Sequence, residues 1–321
     1  MTLFGNIDAG VLRSRLRQLP SAIRHKPCEL GDIECRREFS DELNAGLAAR
    51  FGTASDVTLK DHFIARPDGS ELRVRIYRKI GSTARGALLY VHGGGMIVSC
   101  IEDYDARCMH YCTNTGIPVV SVDYPLAPES PYPAQIDDAL TALSWMHASS
   151  TEFGWDRDRI GICGDSAGGG LTAGAVLKNR DTAGPALACQ MLVFPMLDDR
   201  NTIPDPRFPK QFQNWTYVDN ETAWDAYLSG LDDRQDVPIY AAPARATDLS
   251  GLPPAYIDTG TLDIFYDEDL AYAKQMMTDG VTVEGHLWNG APHGFDYFAF
   301  SSAIAGKAWA CRFAFLVEHL H

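Results

Sequence analysis

Cationic charge is scarce in this sequence. Lys and Arg number 28 against 42 Asp and Glu, a formal charge of −14, and no local basic patch offsets it. Such a surface repels phosphate backbones and anionic headgroups, so neither nucleic acid nor a membrane is expected as a partner. The densest basic stretch, Arg13, Arg15 and Arg17, shares a segment of helical spacing with Val11, Leu12, Leu16 and Leu19 and reads as an amphipathic surface helix. Long apolar runs are missing too: nothing approaches the roughly 18 residues that a membrane-spanning helix requires. The N-terminus lacks the basic start, apolar core and small-residue cleavage site of a secretory signal. Internal repeats and low-complexity linkers are also absent.

Paired metal-ligand motifs are wanting. Cys108, His110 and Cys112 lie together in CMHYC, but on a segment of helical spacing with no second CxxC or histidine pair, so no metal site is expected. The eight cysteines (Cys28, Cys35, Cys100, Cys108, Cys112, Cys163, Cys189 and Cys311) are scattered over a long chain. That scatter predicts reduced thiols in a cytoplasmic protein.

What is present is an alternation. The runs VTLKDHFIA (57–65) and SELRVRIYRK (70–79) alternate apolar and polar residues around the turn PDG and read as an antiparallel hairpin. GALLYV (86–91), IPVVSVDY (117–124), RIGICG (159–164), ACQMLVF (188–194), PAYIDT (254–259) and VTVEGHLW (281–288) follow, several almost wholly apolar. Strands of that kind are covered on both faces. Helical patterns fall between them near 102–115, 134–149, 167–180, 267–279 and 302–320. The expected fold class is α/β: an eight-stranded, mostly parallel sheet with helices on both faces. Two segments break the alternation, residues 1–50 and about 198–235, and are assigned to a cap over a catalytic domain spanning 51–321. The second carries Phe208, Phe212, Trp215, Tyr217, Trp224 and Tyr227, an unusual aromatic density.

The chemistry gathers at strand ends. Gly164-Asp165-Ser166-Ala167-Gly168 follows the strand RIGIC and opens a small-residue helix, the setting in which a tight turn lifts a serine hydroxyl above a sheet. His92-Gly93-Gly94-Gly95 follows GALLYV. Its unshielded glycine amides, with that of Ala167, can face the negative charge of a tetrahedral intermediate. A serine needs a base, and the base an orienting acid. His293, on the loop after the last strand, is the candidate base, and Asp263, after PAYIDT, the candidate acid. Asp258, within that strand, and Asp267, at the start of the next helix, remain rivals for the acid. His92 reads as a brace of its loop.

Five blocks, HGGG at 92, DYPLAPE at 123, GDSAGG at 164, an aspartate in DIFYDE at 263 and HGF at 293, resemble those of the bacterial hormone-sensitive-lipase-like carboxylesterases of the α/β-hydrolase fold. The resemblance covers about residues 57–320. It implies a triad of Ser166, Asp263 and His293, an oxyanion hole of the Gly94, Gly95 and Ala167 amides, neither metal nor organic cofactor, and a possible homodimer. Three positions depart from the family pattern: Pro125 stands for the usual arginine, Met96 for an aromatic and Ile264 for a proline. These bear on the substrate rather than the reaction class.

The expected function is a serine carboxylesterase acting on small to medium apolar esters through an acyl-enzyme. Met96, Asp165, Phe212, Trp215 and Tyr217 are the candidate lining of its substrate pocket. The rivals are an amidase or lactonase with the same triad, and a hydrolase-fold binding protein without chemistry, against which the presence of His293 weighs.

Overall fold

Eight strands form one sheet in the order β1-β2-β4-β3-β5-β6-β7-β8 in the computed structural model, which describes residues 7–14, 27–51, 54–208, 210 and 213–321. β1 (Val57–Ala65) and β2 (Glu71–Lys79) make the antiparallel hairpin, in register from Val57 opposite Lys79 to Ala65 opposite Glu71. β2 also runs antiparallel to β4 (Val119–Val122). β3 (Ala87–Val91), β5 (Ile160–Asp165), β6 (Cys189–Val193), β7 (Ala255–Gly260) and β8 (Val283–Trp288) continue the sheet in parallel with β4. β3, β5, β6 and β7 are buried at every residue, which explains their continuous apolar sequences.

Helices cover both faces. Alternation along each strand divides the interior in two. Leu89, Ile162, Leu192 and Ile257 face a core shared with α3 (Ala134–Ala148), α5 (Ala167–Asp181) and α7 (Tyr266–Thr278). Tyr90, Cys163, Met191 and Tyr256 face the other, shared with α2 (Ile101–Thr115) and α9 (Ala303–Leu320). Between α3 and β5 lies the single turn α4 (Ser150–Phe153), and between β8 and α9 the single turn α8 (Phe295–Phe298). α5 sits unusually close to the strands because its first turns are glycine and alanine. A Cβ on Gly168 would lie 2.1 Å from the Val91 carbonyl oxygen.

Outside this frame, α1 (Ile33–Phe51) and α6 (Tyr217–Tyr227) touch each other. Arg36 of α1, only 5% exposed, donates to Asp219 at 2.9 Å, and Gly31 N donates to Thr222 Oγ1 at 3.0 Å. α6 starts with a reciprocal cap in which Thr216 and Asp219 satisfy each other's amides. Arg37 ties α1 to the strand-end loops, reaching the Ile97 carbonyl and, bidentately, Glu129 of the DYPLAPE block. Residues 9–14 are helical, and Val11 is buried in the core shared with α9. Arg15, Leu16, Arg17 and Leu19 lie outside the described residues. Among the described residues no helix is long and apolar enough to cross a membrane.

The fold corrects the expectation of reduced thiols throughout. Cys28 and Cys35, seven apart, form a disulfide at the entry to α1. A chain turn brings their Cα atoms to 5.8 Å, within bridging reach, as sequence scatter cannot show. Cys108 and Cys112 are buried, unbridged core residues of α2.

His110, on the same helix, is packed against Phe300, Trp309 and Phe313. Burial, then the nearby Arg107 charge, pushes its pKa down from 6.5 to about 4. Unfolded chains therefore take up a proton here that the folded protein refuses, and stability falls as the pH drops from 6.5 towards 4. In denaturant titrations across that window, His110→Phe is expected to show a shallower decline of unfolding free energy with pH than the parent.

Candidate active site

Ser166 is the residue between β5 and α5. Its backbone, at φ 56° and ψ −125°, is one a side-chain-bearing residue adopts only under constraint. Three backbone bonds hold it there: Ser166 N to Val193 O at 2.9 Å, Gly170 N to Ser166 O at 3.1 Å and Met196 N to Ser166 O at 3.0 Å. The turn presents Ser166 Oγ to His293 Nε2 at 2.9 Å, and His293 Nδ1 lies 2.7 Å from Asp263 Oδ2. With the Nδ1 proton on His293, the imidazole donates to Asp263 and accepts from the serine hydroxyl. Asp263 is fixed in turn by the Phe265 amide at 3.0 Å. Phe194 and Phe265 stand edge-on to the imidazole, with centroids at 4.9 and 5.0 Å. Ser166, His293 and Asp263 are 8%, 8% and 1% exposed, so the hydrogen-bonded run is largely sheltered from water.

The rivals for the acid lie elsewhere. Asp258 points to the opposite face of β7, where Tyr256, Trp288 and Arg312 donate to it. Asp267 is 58% exposed and pairs with Arg207. Of the three, Asp263 is the one at the imidazole.

The HGGG turn runs directly beside the serine. A Cβ on Gly93 would fall 3.3 Å from Ser166 Cβ. Gly94 and Gly95 have φ of +107° and +58°, the region where glycine is at ease. The amides of Gly94, Gly95 and Ala167 donate to no backbone carbonyl among the described residues. His92 is fully buried and stacks on Tyr124 at 4.1 Å, with Nδ1 2.7 Å from the Gly93 carbonyl. Burial holds its pKa below the usual imidazole value, so it braces the turn as a neutral ring.

The five candidate pocket residues divide. The Trp215 ring lies against the turn, 2.4 Å from where a Cβ on Gly95 would stand. Its neighbour Asn214 donates to the His293 carbonyl at 2.6 Å, so this segment touches both the base loop and the glycine turn. Met96, 2% exposed, is part of the core beneath the turn. Tyr217 opens α6, buried, and its hydroxyl neighbours Asp205 and Arg207. Phe212 lies outside the described residues. Asp165 is a correction: strand alternation turns it to the face opposite the pocket, where Tyr90 donates to it and Arg107 approaches to 3.6 Å.

That opposite face holds the group that sequence reading missed. Arg107, Arg312, Asp165, Asp258 and Asp296 are all no more than 4% exposed and form one ion-pair chain. Burial pushes the Asp296 carboxyl up, but Arg107 and then Arg312 outweigh it and hold it below the ordinary carboxylate value. A signal did exist. Arg107 lies on a helix face with Cys108, Tyr111 and Thr115, and Arg312 on one with Ala308, Trp309, Phe315 and Leu316. A cation in a buried apolar stripe implies a buried partner.

Gly95→Ala is expected to lower ester turnover by about 10²-fold or more, the scale for loss of one oxyanion donor, because its methyl meets the Trp215 ring. Gly69→Ala carries the same positive-φ strain at +85° with nothing within 4 Å. It should leave turnover unchanged, and parallel rates with thermal melts of the two variants make the check.

The α/β-hydrolase-fold family model matches residues 88–297. Carboxylesterase NlhH of Mycobacterium tuberculosis is 37% identical over 243 residues, 73% of this chain and 74% of its own length. Esterase LipI of the same organism is 35% identical over 301 residues, 92% of this chain and 84% of its own length. Among solved structures, a bacterial heroin esterase superposes with a TM-score of 0.87 at 32% identity, covering 100% of both chains. With these motifs, this sheet order and these similarities, the chain belongs to the α/β-hydrolase family, in its hormone-sensitive-lipase-like carboxylesterase branch.

Proposed function

We propose that this chain is a serine carboxylesterase that hydrolyses small to medium apolar esters through an acyl-enzyme. The observation that carries the reading is the unbroken run from Ser166 Oγ to His293 Nε2, 2.9 Å, and from His293 Nδ1 to Asp263 Oδ2, 2.7 Å. Oγ attacks the ester carbonyl carbon as Nε2 takes its proton, and the carbonyl oxygen becomes an oxyanion. The amides of Gly94, Gly95 and Ala167 receive that oxyanion, each worth on the order of 3 kcal/mol in the transition state. The N-terminal end of α5 adds its dipole. Collapse breaks the C–O bond, and the imidazolium returns its proton to the leaving alcohol. A water molecule then gives a proton to Nε2 and attacks the acyl carbon. Ser166 leaves with the proton back on Oγ, and the carboxylic acid is released. These steps call for no metal or organic cofactor.

Residues 1–50 and the 198–235 insertion would form the cap of a catalytic domain covering 51–321. Support comes from the Arg36–Asp219 bond between them and from Trp215 against Gly95. An aromatic wall at a sheltered serine favours apolar acyl groups. We take the cytoplasm as the working compartment, where the buried free thiols stay reduced.

On p-nitrophenyl esters from acetate to palmitate, the rate is expected to peak at short chains and to collapse by several orders of magnitude in Ser166→Ala. Asp263→Asn should lose about 10⁴-fold in kcat, whereas Asp267→Asn should match the parent. A parent no faster than Ser166→Ala on every chain length would sink the generic esterase reading.

A further inference from the structure

Beneath the sheet, five buried charges form a chain that runs parallel to the three residues above it. Asp165 immediately precedes Ser166. Asp296 follows His293 by three residues, within α8. Asp258 lies on β7, the strand that leads into Asp263. Each carboxylate is thus covalently close to one member of the hydrogen-bonded run, and the two arginines join them. Arg107 donates Nη2 to Asp296 Oδ1 at 3.2 Å, with Nη1 3.1 Å from Asp296 Oδ2 and 3.6 Å from Asp165 Oδ2. Arg312 donates Nε and Nη2 to Asp258 at 2.9 and 3.1 Å, and Nη1 to Asp296.

Both arginines come from helices that supply none of Ser166, His293 and Asp263, α2 and α9, although Tyr104 of α2 packs on His92 with ring centroids 5.4 Å apart. Arg107 is 2% exposed and sandwiched by rings, its guanidinium carbon 5.5 Å from the Tyr297 centroid and 5.2 Å from that of Trp309. Asp165 is anchored from its other side by the Tyr90 hydroxyl. The His293 loop is otherwise connected at its tip through the Asn214 bond to its carbonyl.

We propose that Arg107 is a positioning residue for ester hydrolysis: by bridging Asp165 and Asp296 from beneath the sheet, it sets the separation of Ser166 from His293 without touching substrate. The proposal rests on the esterase reading above. Nucleophile and base sit on separate loops, 127 residues apart in sequence. Their 2.9 Å contact must survive loop motion. Arg107 hydrogen-bonds Asp296 through Nη2 and meets Asp165 through Nη1 as an ion pair without a hydrogen bond, and a planar guanidinium holds that charge in place between the two carboxylates, whereas an ammonium is a single point of charge on a flexible stem. Arg312 makes the equivalent link between the base loop and the acid's strand.

The test is steady-state hydrolysis of p-nitrophenyl acetate, with kcat expressed per folded molecule, by the parent, Arg107→Met and Arg107→Lys. Loss of registry of about 1 Å is expected to cost Arg107→Met about 10²-fold in kcat. KM should stay close to the parent's, because no substrate contact is lost. Arg107→Lys keeps the charge but not the fork, and should recover only part of the rate. Should both arginine variants fail to fold, Asp165→Asn releases the same link from its other end and is expected to lower kcat with KM unchanged. A merely structural arginine would lower the yield or melting temperature and leave kcat per folded molecule intact. That result, in Arg107→Lys or in Asp165→Asn, overturns the proposal. An inactive parent would instead sink the esterase reading itself.

Discussion

Two arginines beneath the sheet, holding three aspartates between them, are the constraint on which the rest of the arrangement depends. Removing a charged group from water costs several kcal/mol even after the protein relaxes, and the cost is recovered only where geometry and hydrogen bonds are good. Here the five groups take part in ion pairs, with Tyr90, Tyr256 and Trp288 supplying further donors to the carboxylates, while Arg107 Nε and Nη1 make no hydrogen bond among the described residues. The chain runs Asp165, Arg107, Asp296, Arg312, Asp258, and it joins β5, α8 and β7 through helices α2 and α9. Those three elements adjoin or carry the segments from which Ser166, His293 and Asp263 project. The apolar core fixes the layers. The charge chain adds a second set of links among three loops that backbone bonds such as Ser166 N to Val193 O and Leu262 N to Ala291 O also hold.

Above the sheet, the same economy of movement is reached by backbone. Ser166 holds a conformation that costs of order 1–3 kcal/mol, and the bonds to Val193, Gly170 and Met196 over-determine it. α5 can begin immediately because its glycines let it lie almost on the strands, as Gly168 does against Val91. The HGGG turn, braced from behind by the His92–Tyr124 stack, then brings free amides alongside the serine. Strain at Ser166, close helix packing and a set of unpaired backbone amides beside it are three consequences of one short sequence, GDSAGGG, meeting another, HGGG.

Much of this was legible beforehand because it is local. The strands announce themselves by β-branched apolar runs, and each lies within a residue or two of its expected span. The oxyanion turn and the elbow are contiguous motifs. His293 was separable from eight other histidines by its place after the last strand. Asp263 was not separable from Asp258 and Asp267 without coordinates, since what distinguishes them is direction. Strand alternation buries Asp258 on the far face, and Asp267 reaches solvent. Asp165 was misplaced for the same reason. The arginine chain stayed invisible because its members lie 16 to 205 positions apart pairwise across elements, and nothing local couples them except a cation in an apolar stripe. The Cys28–Cys35 bridge and the contact between α1 and α6 likewise depend on a chain path that periodicity does not encode.

The central claim is that one serine, Ser166, carries the acyl group between two half-reactions. Mass spectrometry of the intact protein and its peptides, after brief reaction with a slowly deacylating ester, tests it most directly. The account predicts one acyl group per chain, located on the peptide containing Ser166 and disappearing at the rate of turnover. Acyl transfer to another residue, or turnover with no covalent adduct at Ser166 under conditions where deacylation limits the rate, would contradict it.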